Sequence, residues 1–227
     1  MVFGQADYQE AYGGFDLSRA TEAVLGDVSS GLNVATLCCD RHCGSNSTAL
    51  YWRNDRGEAA EYSFEQLRDQ SERFAQVLQD LGVGRGDRVA CLLPRIPELV
   101  ASVLAIWRLG AVYQPLFTAF GPKAIDHRVQ SSAARVIVTD SGNRAKLDEI
   151  ISPAKIVTVV AKGEAAPVGD FDFHNETAQR EPGLQALACG ADDPFLIMFT
   201  SGTTGPAKSL YVPIRAIVPF AGYMRDA

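Results

Sequence analysis

An apolar strand candidate at residues 195–199 runs directly into Thr200-Ser201-Gly202-Thr203-Thr204-Gly205-Pro206-Ala207-Lys208. The hydroxyls of Thr200, Ser201, Thr203 and Thr204, the glycines 202 and 205 and the ammonium of Lys208 suit one task together, the holding of a polyphosphate. Glycine lets backbone N–H groups approach phosphate oxygens with no Cβ between them, hydroxyls donate hydrogen bonds, and the lysine offsets charge.

The better-known phosphate loop is Gly-x-x-x-x-Gly-Lys-Ser/Thr, leading from a strand into a helix. Here two residues separate Gly202 from Gly205, and two more separate Gly205 from Lys208. Ser209-Leu210-Tyr211-Val212-Pro213 then alternates and is β-prone, so the spacing predicts a loop joining two strands. With no helix N-terminus to help hold an anion, hydroxyls and lysine must do most of the holding, in a loop that is free to move.

Upstream, helices and strands alternate. Ser63 caps a predicted helix whose Phe64, Leu67, Phe74, Leu78 and Leu81 share a face, and Gly82 ends it. Strands are expected at residues 88–93, 111–116, 135–139 and 155–160, and helices at 98–109, 123–132 and 143–151. Residues 161–193 loosen into a Gly-, Pro- and acid-rich surface connection, with one short helix expected near 184–188. Strands separated by such helices imply a largely parallel sheet flanked by helices, an α/β fold. The organisation expected is an N-terminal helical and extended segment (1–62), an α/β unit (63–193), and a phosphate-binding hairpin with a following helix (194–227).

With 47% hydrophobic residues the chain can bury a substantial core, and a net charge of −6 without any basic run disfavours a nucleic-acid partner. Residues 1–12 lack the basic and apolar regions of a signal peptide, and the apolar run 99–107 is too short to span a bilayer. A soluble, cytoplasmic protein is the expectation. Cys38, Cys39, His42 and Cys43 lie close together, but a structural zinc site draws ligand pairs from separated segments. A helix through residues 33–42 with reduced thiols is expected instead, and no metal site. The odd count of five cysteines argues against a disulfide framework. His127, on a helix, and His174, in the loose stretch, read as structural or solvated, and Asp192 and Asp193 as part of a turn.

The glycine- and hydroxyl-rich run resembles the signature of the adenylate-forming synthetases, which include acyl-CoA synthetases, luciferases and adenylation domains of peptide synthetases. Their pattern is Tyr/Phe-Thr-Ser-Gly-Thr-Thr-Gly-x-Pro-Lys-Gly. Residues 200–205 and Lys208 match it, Pro206 stands one place early, and Ser209 replaces a glycine. Three further stretches are similar to family motifs: Tyr62-Ser63-Phe64-Glu65-Gln66-Leu67; Leu81-Gly82-Val83-Gly84-Arg85-Gly86-Asp87-Arg88-Val89; and Leu109-Gly110-Ala111-Val112-Tyr113-Gln114-Pro115-Leu116, preceded by Arg108 where lysine is usual. Residues 117–128 and 213–217 lean toward the acetyl-CoA and medium-chain acyl-CoA synthetase branch.

The resemblance implies the first part of the large N-terminal domain of an AMP-forming acid–thiol ligase that uses ATP, magnesium and coenzyme A on a small carboxylate, as in fatty acid metabolism. It assigns Thr200, Ser201, Gly202, Thr203, Thr204, Gly205 and Lys208 to phosphate binding and requires no catalytic nucleophile here. Full-length members run well over twice as far, and their later motifs have no counterpart in these residues. The chain alone is therefore expected to be inactive, and residues 214–224, left uncovered, to form a homodimer contact, the competing outcome being a disordered tail over a monomeric sheet. The alternatives are a non-catalytic nucleotide- or protein-binding fragment and an unrelated phosphate-loop nucleotide hydrolase.

Overall fold

The computed structural model describes residues 13–14, 16–161, 163–200 and 207–226. Two short helices, α1 (Leu17–Leu25) and α2 (Val34–Cys38), precede an antiparallel ribbon of β1 (Thr48–Arg53) and β2 (Ala59–Ser63). Then follow α3 (Phe64–Asp80), β3 (Arg88–Leu92), α4 (Pro97–Arg108), β4 (Val112–Pro115), α5 (Pro122–Ser132), β5 (Val136–Asp140) and β6 (Lys155–Val159). The chain continues through β7 (Phe171–Asp172), α6 (Phe173–Ala178), the strands β8 (Pro194–Thr200) and β9 (Lys208–Pro213), and α7 (Ile217–Asp226).

Seven strands form one sheet in the order β7-β6-β5-β3-β4-β8-β9. Every neighbouring pair is parallel except β8 and β9, which are antiparallel. Central strand β3 shows why helices must cover both faces, since its side chains alternate between two cores. Val89 and Cys91 join Phe74, Leu78, Ala105 and Ile106 from α3 and α4 on one side. Ala90 and Leu92 join Ile125 and Val129 from α5 on the other. No helix among the described residues is long and apolar enough to cross a membrane.

Local chemistry sets the helix ends. Ser63 and Gln66 form a reciprocal capping box at the start of α3, and Gly82 turns the chain away at φ +90°. Helix α5 begins with Pro122 at its first turn and ends at Ala133 in the left-handed region. Beneath it the fully buried Gln114 of β4 accepts from Ser132 Oγ (2.6 Å) and donates to the Arg128 carbonyl (3.1 Å).

Four sequence expectations are corrected. Residues 143–151 form only a 3-10 turn at Arg144–Leu147, where Arg144 is drawn to the distant Asp170 and only Leu147 is fully buried. No helix forms at 184–188. That strand-like strap is held instead by its backbone, with Leu187 N–H donating to the Arg108 carbonyl and Cys189 bridging Leu32. The helix expected over 33–42 breaks at Cys39, where Asp40 swings toward Arg108. Within the loose stretch, α6 forms, capped by Asp172 and seated by Phe173 against Phe74, so His174 lies on a helix.

Arg108 explains two of these departures. Its guanidinium is buried (1% exposed) and bonds Asp40 at 2.7 Å, with Glu72 at 3.6 Å and the Ser71 hydroxyl at 3.3 Å. A buried cation must be paired and hydrogen-bonded. The turn after α2, helix α3 and the 184–189 strap are therefore gathered around the C-terminal end of α4.

Candidate functional site

Thr200 closes β8 and Lys208 opens β9, and the two stand directly opposite each other in the antiparallel register. The loop runs from strand to strand, as its spacing predicts. Because β8 runs parallel to β4, Thr200 lies at the carboxyl edge of the sheet, the edge where open α/β sheets place their ligands. Both side chains are exposed, and Lys208 makes no ion pair among the described residues. Ser201, Gly202, Thr203, Thr204 and Gly205 lie outside the described residues.

The hairpin is well founded at its base. Trp107 donates from Nε1 to the Phe195 carbonyl (2.9 Å) and packs on the Phe195 ring. The entering turn is fixed by Asp193, whose carboxylate accepts from Gly190 N–H (2.7 Å) and from Arg85 (2.5 Å). The Gly190 bond chiefly, with Arg85 adding, holds the Asp193 carboxyl below its ordinary value of 3.8 against the opposing effect of burial. Asp192 pairs with Arg215, so both carboxylates belong to the turn.

Helix α5 meets the loop's two roots with consecutive residues. His127 Nε2 lies 3.0 Å from the Ala207 carbonyl, and its ring stands edge-on to Phe199 at 6.4 Å. The Arg128 guanidinium lies 4.1 Å from the centre of the Phe120 ring and 5.5 Å from that of Phe199. These neighbours were not legible in the sequence. His127 and Ala207 are far apart along the chain, and no spacing signals their meeting.

Burial, with Asp40 and Cys43 adding, pushes the Cys39 thiol up to about 12, so the free thiol stays protonated near neutral pH. His42 instead packs on Phe64, and the described residues contain no group of His, Cys, Asp or Glu able to hold a metal. A cavity of about 750 Å³ lies at the opposite, amino edge of the sheet. Its cations are committed: Arg88 to the Ser132 and Ala133 carbonyls, Lys155 to that of Leu81, and Arg135 to Asp87.

Fold and hairpin together define an open, largely parallel α/β protein whose antiparallel edge pair brings Thr200 and Lys208 to the carboxyl ends of the parallel strands. Residues 39–226 match the family described as AMP-binding enzyme. The acetyl-coenzyme A synthetase of Pseudoalteromonas translucida is 33% identical over 199 residues, 79% of this chain and 31% of that protein. Among solved structures, a Brucella canis acyl-CoA synthetase superposes with a TM-score of 0.91 at 43% identity, covering 96% of this chain and 40% of the other. Acetoacetyl-CoA synthetase from Streptomyces lividans shares the fold (TM-score 0.79, 24% identity, 96% of this chain and 40% of the other). The chain belongs to the AMP-binding enzyme family, and it spans about a third of the length of the curated relatives it matches.

Proposed function

We propose that residues 200–208 grip the β- and γ-phosphates of MgATP in an AMP-forming acid–thiol ligase. In the reaction, a small carboxylate attacks the α-phosphorus, pyrophosphate leaves, and the acyl-adenylate passes its acyl group to the thiol of coenzyme A with release of AMP. Thr200, Ser201, Thr203 and Thr204 donate hydroxyl bonds, Gly202 and Gly205 allow close approach, and Lys208 neutralises charge that builds on the departing pyrophosphate. Magnesium enters as part of the nucleotide, held mainly by phosphate oxygens. The observation that carries this reading is the opposition of Thr200 and an exposed Lys208, without an ion pair among the described residues, at the carboxyl edge of the sheet.

The chain spans 31% of a curated relative, and the role proposed for its own residues is the phosphate grip. An acetyl or other acyl group is the substrate class that the relatives' names suggest, and the resemblance of residues 117–128 and 213–217 extends it to medium-chain acyl groups. The described cysteines are free, which supports a reducing, cytoplasmic setting. Amide hydrogen exchange tests the reading: MgATP should protect residues 200–208 selectively, and equal exchange with and without nucleotide would reject it.

A homodimer through residues 214–224 is part of the same proposal. Ile214 and Val218 are already buried against Leu25, Leu32 and Val34, which narrows the exposed apolar part of that segment to side chains such as Phe220 and Met224.

A further inference from the structure

We propose that His127 is a positioning residue for the phosphate-gripping loop, tethering its exit so that Lys208 starts from a fixed backbone. This inference rests on the reading of residues 200–208 as a phosphate grip and adds to it a residue from a different element.

The tether joins elements that the sequence keeps far apart. His127 Nε2 lies 3.0 Å from the carbonyl oxygen of Ala207, the residue immediately before Lys208. A carbonyl can only accept, so Nε2 must carry the proton, and the partner itself assigns the tautomer. Nε2 is thereby committed and does not serve as a base. A trans peptide is planar, so a carbonyl turned toward α5 sends the N–H of Lys208 the opposite way. One hydrogen bond thus orients the peptide from which the lysine departs.

The other root is held from the same helix turn. The His127 ring stands edge-on to Phe199, the residue before Thr200, and the Arg128 guanidinium reaches the same ring. Helix α5 is a firm base for this clasp, because Ile125 and Val129 are buried and Gln114 ties its last turn to β4. Backbone already fixed at Phe199 and Ala207 loses less freedom when Thr200 and Lys208 engage phosphate, and such preorganisation appears as affinity.

The test uses the 227-residue chain with sodium tripolyphosphate as probe. His127→Phe keeps a ring against Phe199 but has no donor, and His127→Gln supplies an N–H at similar reach. Expected for His127→Phe are faster amide exchange at 207–209 and about fivefold weaker tripolyphosphate binding by calorimetry. His127→Gln should recover both, with the urea midpoints of all three chains in agreement. If the phenylalanine variant does not fold, His127→Ala takes its place in the comparison. Equal affinity in wild type and the donor-less variant overturns the tether while leaving the phosphate reading intact. Weaker binding with a fallen midpoint and no recovery in His127→Gln also overturns it, reducing His127 to packing. A wild-type chain that binds neither tripolyphosphate nor MgATP overturns the phosphate reading, and the role of His127 with it.

Discussion

Lys208 and Asp193 hold two ends of one strand pair, and they do different work. Lys208 is exposed and has no ion pair among the described residues, so its removal costs folding little. Lys208→Ala should shift the urea midpoint negligibly, and an altered midpoint would assign the lysine to packing. Asp193 is structural. Its folded pKa is depressed, so its stabilisation is fully present above the ordinary value of 3.8 and is lost as pH falls through the lower folded value. Asp193→Asn should destabilise the chain by about 1 kcal/mol at pH 7, with the gap to wild type closing toward pH 3. Urea melts at the two pH values decide this, and a gap independent of pH would contradict the assignment. At this scale the hydroxyls, glycines and lysine of the loop were legible because their order along the chain is itself the signal. His127 was not, because its partner is a backbone carbonyl of another element, and a carbonyl leaves no mark in sequence.

Elements whose ends are written in local chemistry form where the sequence places them. The Ser63–Gln66 capping box starts α3, and Ser63→Ala should cost about 1 kcal/mol in a urea melt; an unchanged melt would mean the cap is redundant. Residues 143–151 and 184–188 misled for a common reason, since helical periodicity there competes with side chains and carbonyls wanted elsewhere. Arg144 turns to Asp170, and the strap at 184–189 offers its carbonyls to Arg108 and Asn33. Arg108→Ala should therefore be severe, on the order of 3–5 kcal/mol, because it leaves Asp40 and Glu72 without their buried cation. Limited proteolysis should then cut first within the strap. A variant as stable as wild type would show that the cluster is not the clasp described here.

Across the whole molecule, the largely parallel sheet was readable from alternation alone, since a strand buried on both faces reads as a continuous apolar run such as Val89-Ala90-Cys91-Leu92. Strand order was not readable, because it depends on contacts between distant segments. The hairpin face that carries Thr200 and Lys208 also presents the cross-strand pair Met198 and Leu210, exposed to 48% and 55%. Exposed apolar area of this kind is worth about 25 cal/mol per Å² when covered. If residues 214–224 self-associate, sedimentation velocity should show a dimer that Phe220→Ser weakens; a monomer at every concentration would remove the homodimer from the account. Phosphate binding at the sheet's carboxyl edge is tested most directly by calorimetric titration of the 227-residue chain with MgATP. Saturable binding that Lys208→Ala weakens about tenfold is the predicted result, equivalent to about 1.4 kcal/mol. Equal affinity in the two chains, or no binding by wild type, would contradict it.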